Sequence, residues 1–157
     1  MIQEGYLIFS GIHLEPLVPL SSMGGFDMTQ VEFIEKHNIT SSITHLCLNP
    51  ETNQDDWKVS ISYKGKKYTF DYHTGIGHRK NGNPVKPNLK DILYCVASDC
   101  QSLDGCLDYE SWASDFGYDP DSRKGEAIYR AVQKEASNMQ KLLGHSIYLE
   151  FIDTTEE

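Results

Sequence analysis

The run Gly75-Ile76-Gly77-His78-Arg79-Lys80-Asn81-Gly82 combines residue types suited to holding an anion. Glycines let a backbone approach a ligand closely, and a guanidinium beside an ammonium suits a phosphate or a carboxylate. The spacing lacks both the dinucleotide fingerprint and the closing Gly-Lys-Ser/Thr of a P-loop. Gly75, Gly77, His78, Arg79 and Lys80 therefore form a candidate anion-binding set, weighed against a plain basic connection between two elements.

Other chemistry is thinner. His73 and His78 lie five residues apart and could share a metal with Cys95 or an acid. Zinc requires a tetrahedral nitrogen and sulfur set, and nothing in the spacing makes these side chains converge, so no metal and no cofactor are expected. The four cysteines, Cys47, Cys95, Cys100 and Cys106, match no standard zinc spacing and read as packed thiols. Cys95 next to a histidine would be a nucleophile pair on paper, but it borders an apolar stripe, where a thiol is inert. The balance favours a binding protein over an enzyme, with a small metal-dependent hydrolase kept as an alternative and no catalytic residue assigned.

Charge carries more information. The 157 residues have a net charge of −9, unevenly spread. From Lys64 to Lys90 there are seven Lys/Arg and one acid, whereas from Asp91 to Asp121 there are eight acids and no Lys/Arg. Towards its end the base-free stretch brings Trp112, Phe116 and Tyr118 close together in sequence. Acids there could be a solvated surface, could cap helices, or could imitate a row of phosphates and enter a basic groove. They do not follow the alternate-position pattern of a calcium loop. Asp99, Asp104, Asp108, Glu110, Trp112, Asp115, Tyr118 and Asp119 are the candidate partner-binding set, with Trp112 and Tyr118 as aromatic anchors.

The elements that must position these residues are legible from periodicity. Residues 1–27, broken by glycines and prolines, read as an N-terminal extension ahead of a single domain over 28–157. A short helix follows, with Asp27 as a plausible N-cap, Val31 and Ile34 as its apolar edge and Asn38 at its end. Three strands come next: 39–48, then Trp57-Val59-Ile61-Tyr63 alternating with polar residues, then Tyr68-Phe70-Tyr72 doing the same. Lys64-Gly65 marks a hairpin between the last two. Asn88 opens a helix whose stripe is Leu89, Ile92, Leu93, Val96, Cys100 and Leu103, and Gly105 marks its end. A two-turn helix follows over 109–116, stopped by Gly117. Asp121 or Ser122 caps a long helix with Ile128, Val132, Ala136, Met139 and Leu143 inward, Gly125 as a weak spot and Gly144 at its close. SIYLEFI, residues 146–152, is expected as a final strand. The fold class is α+β: a small antiparallel sheet of about three strands backed by three to four helices. No apolar run approaches the ~20 residues of a membrane span, and the N-terminus lacks the pattern of a signal peptide, so a cytoplasmic protein is expected.

HTGIGHRKNG, PNLKDILYCVASD and DYESWASDFGYDPDSRKGEAIYRA together resemble a group of small accessory proteins encoded by bacteriophages and prophages, over about 28–144. The shared pattern is a G-x-G-H-R loop and an F-G-Y-D-x-D-S-R-K motif; here Gly75, Gly77, His78, Arg79, Tyr118, Asp119, Asp121, Ser122 and Arg123 stand in it, while Gly125 stands where alanine is expected. The resemblance implies an anti-defence role in the host bacterial cytoplasm, including anti-CRISPR action. The expected function is thus an inhibitor that binds a bacterial nucleoprotein effector, most simply a CRISPR effector, through an acidic, nucleic-acid-mimicking surface. The alternative of another class is direct binding of nucleic acid or a phosphate ligand by the basic 75–80 loop. Oligomeric state is left open by the sequence.

Overall fold

The computed structural model describes residues 28–104 and 108–155. The expected extension, the Asp27 cap, Gly105 and Cys106 lie outside the described residues. Five helices and three strands follow in the order α1 (Gln30–His37), β1 (Thr40–Asn49), β2 (Gln54–Tyr63), β3 (Lys66–Gly75), α2 (Leu89–Ser102), α3 (Tyr109–Asp115), α4 (Arg123–Leu143) and α5 (His145–Ile152). The strands form one antiparallel meander in the order β1-β2-β3.

Local chemistry sets the boundaries. α1 is opened by a capping box in which Thr29 Oγ1 accepts from Glu32 N and the Glu32 carboxylate accepts from Thr29 N, both at 3.1 Å. It ends on Asn38 at φ 53°, a left-handed position that asparagine tolerates. The buried face of α1 is Gln30 and Phe33 rather than the expected Val31 and Ile34, which are only half-buried. The β2–β3 turn has Lys64 at φ 47° and Gly65 at φ 79°. Two successive positive φ values give a turn whose twist matches that of paired strands. Asn88, Asp108 and Ser122 cap α2, α3 and α4 through side-chain oxygens.

The alternation in β2 separates the two faces of the sheet. Trp57, Val59, Ile61 and Tyr63 are buried with Phe70 and Tyr72 of β3, and α4 packs across both strands. On the other face the partners are polar: Ser60 meets Thr69 at 2.8 Å and Lys58 lies 3.6 Å from Asp71. Behind the sheet, α4 contacts α2, α3 and α5, and α1 packs on α2. The expected α2 and α4 stripes enter the core, with Ile92, Leu93, Val96, Ile128, Val132 and Met139 all buried.

Residues 145–152 depart from the sequence expectation: SIYLEFI is helix α5, not a strand. Its buried side chains are Tyr148 and Phe151, one helical turn apart. Phe151 is fully enclosed and packs on Phe33 with ring centroids 5.5 Å apart. A short apolar run does not distinguish strand from helix by its own period, and here contacts to α2 and α4 decide. Just beyond it, Thr155 N donates to Met28 O at 2.9 Å and Gln30 N donates to Thr155 O at 3.1 Å, joining the two ends of the described fold.

Candidate functional site

The acidic block divides into an exposed set and an enclosed one. Asp104, Asp108, Glu110, Asp115, Asp119 and Asp121 are exposed. They sit on and beside α3, a seven-residue helix about 10 Å long at ~1.5 Å per residue. Several also serve the backbone: Asp108 Oδ1 accepts from Ser111 N and Asp119 Oδ1 accepts from Asp121 N, each at 2.9 Å. Both roles suit an anion beside unpaired backbone donors.

Three members of the expected binding set, Trp112, Tyr118 and Asp99, are not exposed with these acids. Trp112 is fully buried, and its Nε1 donates to Ser102 Oγ at 3.1 Å. Tyr118 lies flat on it, with centroids 5.3 Å apart and planes 4° from parallel. Tyr109, Phe116 and Tyr129 complete the cluster around the indole. The aromatics are therefore the support under the acids, and Trp112 is no exposed anchor. Tyr118 remains half-buried at its edge. Gly125 belongs to the same support. A Cβ there would come within 2.8 Å of Tyr109 Oη and 3.1 Å of Tyr118 Cβ, so glycine at this position allows α4 to close on the aromatic cluster.

Asp99 is also enclosed, and it has company that the sequence reading missed. Asp99 of α2 and Glu135 of α4 are 0% and 1% exposed. Among the described residues no donor reaches any of their four carboxyl oxygens. Desolvation pushes both carboxyls well above the ordinary carboxylate range, and for Glu135 the neighbouring Asp99 adds to the rise. Glu135 falls three after Val132 and four before Met139, inside the apolar stripe of α4, and that position was a readable signal of burial.

The 75–80 loop is built differently from an open anion cradle. Arg79 Nη1 donates to Asp55 Oδ1 and Nη2 donates to Gly82 O, so the guanidinium is committed to the protein itself. Asp55 is 1% exposed and also pairs with His45 Nε2 at 3.0 Å. On the opposite face of β2, His73 Nδ1 meets Asp56 Oδ1 at 2.6 Å. Asn81 at φ 54° and Gly82 at φ 77° turn the chain, and Lys80 and Asn83 exchange backbone hydrogen bonds. Gly77, His78 and Lys80 remain exposed and Gly75 ends β3. The sequence hid this network because Asp55 and Asp56 precede the alternating run at Trp57; His73 stands opposite Asp56 in register, whereas His45, opposite Trp57, reaches Asp55 next to a register shift in β1.

The basic stretch is also split in space. Lys64, Lys66 and Lys67 lie at the β2–β3 turn, whereas Arg79, Lys80 and Lys86 follow the far end of β3. Ten residues at ~3.3 Å each separate these groups by roughly 30 Å. Among the described residues, no cluster of three or more His, Cys, Asp or Glu side chains could hold a metal ion. Cys95 is half-buried, with Tyr72 Oη at 3.4 Å from its sulfur. No helix among the described residues is long and apolar enough to cross a membrane.

Fold and site together define an α+β domain: a three-strand antiparallel sheet with five helices packed against it, with individually exposed acids in and around the short helix α3 that carries the buried Trp112. No family model matches the chain, and no curated protein or solved structure shows significant similarity to it.

Proposed function

We propose that this protein is a binding module that docks its acidic face, around α3, onto the basic nucleic-acid-binding surface of a partner. This reading fits the anti-defence role implied by the resemblance to phage accessory proteins: an anti-CRISPR-like inhibitor of a bacterial nucleoprotein effector. The observation that carries it is the exposure of Asp104, Asp108, Glu110, Asp115 and Asp119 on a buried aromatic support, in a stretch without a single Lys or Arg. A rigid support matters because charges held in place lose little freedom on binding. A row of carboxylates competing for a phosphate site draws its affinity from the same basic residues as the nucleic acid. The committed Arg79 and the divided lysines lend less support to direct nucleic-acid binding.

The test is competition for a CRISPR effector ribonucleoprotein against its target DNA duplex. The protein should displace DNA, and its binding should weaken steeply as salt rises. Asp115→Lys with Asp119→Lys should abolish displacement while leaving the fold intact. Salt-insensitive binding, or full displacement by the double variant, would overturn the acidic-docking reading.

A further inference from the structure

The packing of α2 on α4 closes over two carboxyl groups with no base to receive them. Asp99 and Glu135 are both essentially unexposed, and none of their four oxygens accepts a hydrogen bond from a protein donor among the described residues. Two carboxylates cannot satisfy one another, since both only accept. Two like charges in contact within the core would also leave each without water or counter-charge. A proton resolves both problems: a protonated carboxyl donates to its neighbour, and the pair then carries at most one charge.

We infer that Asp99 and Glu135 share a proton, and that this proton is the latch joining α2 to α4. The titratable groups around the pair are Tyr68 and Tyr72 of β3, Cys95 and Cys100 of α2, Tyr118 after α3 and Tyr148 of α5. None of these is a Lys, Arg or His that could supply a positive charge to the pair. Desolvation raises the tyrosine hydroxyls at positions 68, 72 and 148 and the Cys100 thiol, so the surroundings stay uncharged as the pH climbs.

The latch has a direct line to the acidic face. Ser102 Oγ donates to Asp99 O at 2.6 Å, and Trp112 Nε1 donates to that same Ser102 Oγ at 3.1 Å. Opening at the pair would therefore disturb the seat of α3. That regulatory consequence rests on the docking reading above, whereas the shared proton can be tested without any partner.

The sign follows from linkage. Both groups have folded-state values above their unfolded ones, so their contribution is complete below the ordinary carboxylate range and is lost as pH rises toward the folded values. Urea unfolding at a series of pH values should show the unfolding constant of the wild type rising about tenfold per pH unit, from about pH 5 upward, for each proton held only by the folded state. The Asp99→Asn/Glu135→Gln protein, whose amides can bond each other without a proton, should lack that rise. Other titrating groups are common to both proteins and cancel in the difference. Parallel pH profiles would overturn the inference. Should the double variant fail to fold, carbon-13 carboxyl resonances of the wild type decide instead. At neutral pH at least one buried carboxyl should keep its protonated shift, and full ionisation of every Asp and Glu would refute the shared proton.

Discussion

Gly125 offers a substitution for which two effects of known size oppose each other. Alanine should favour the helix by up to about 1 kcal/mol over glycine, less so in the first turn, where position 125 lies. Against this stand the contacts at 2.8 Å to Tyr109 Oη and 3.1 Å to Tyr118 Cβ. Neither neighbour yields easily. The Tyr109 hydroxyl donates to Asp119 O at 3.3 Å and to Ser122 O at 3.2 Å, and the Tyr118 ring is stacked on Trp112. Overpacking of this kind costs roughly 1–3 kcal/mol. The expected outcome for Gly125→Ala is a net loss of about 1–2 kcal/mol, measured by urea denaturation, or a fall in Tm of about 2–8 °C for a chain of this size. Tyr109→Phe removes the atom in closest conflict, so the cost of Gly125→Ala in that background should shrink by at least ~0.5 kcal/mol, beyond the usual error of additivity. Stabilisation by Gly125→Ala, or an equal effect in both backgrounds, would refute the close-packing argument and return Gly125 to a plain weak spot.

Three further outcomes are expected. Arg79→Ala leaves Asp55 enclosed with His45 as its remaining partner, and should cost roughly 3 kcal/mol, at the lower end for breaking a buried pair, with faster amide exchange through 76–83. Burial acts to raise the Glu150 carboxyl, but hydrogen bonds from Lys36 at 2.8 Å and His37 at 2.9 Å outweigh it and hold the group below its ordinary value. Its contribution is present above the unfolded carboxylate range and lost as pH falls, so the stability gap between wild type and Glu150→Gln should be open at pH 6 and narrow toward pH 3. Asp115→Lys with Asp119→Lys should cost about 1 kcal/mol, because Asp119 Oδ1 accepts from Asp121 N, and that is small enough for the variant to stay folded, so a loss of docking is read separately by urea unfolding of the same protein.

The antiparallel sheet was readable because β2 and β3 alternate cleanly and Lys64-Gly65 suits the turn between them. The stripes of α2 and α4 were equally plain. Legibility failed where identity and environment diverge. Asp99 and Glu135 are acids by type but occupy helical positions that face inward, and Trp112 looks like a contact residue until Ser102 and Tyr118 are seen to hold it inside. SIYLEFI was ambiguous in itself, since only the seat against Phe33 makes Phe151 a helical residue. The Arg79 partner could not be foreseen without the register that brings Asp55 opposite Thr74.

The junction of Thr29 and Gln30 with Thr154 and Thr155 has a consequence for how the chain folds. The meander forms from neighbours in sequence, joined by turns of a few residues, and such local contacts form early. The junction instead joins residues 124 apart, as Gln30 Nε2 donates to Thr154 Oγ1 at 2.9 Å. Closing so long a loop is entropically costly, and its reward arrives only once α5 exists. On the ribosome, α1 therefore waits without its Phe151 partner until almost the whole described chain has been made. Docking of α5 is the expected final step of assembly, and a probe on α1 should report native packing later than one on the β2–β3 hairpin.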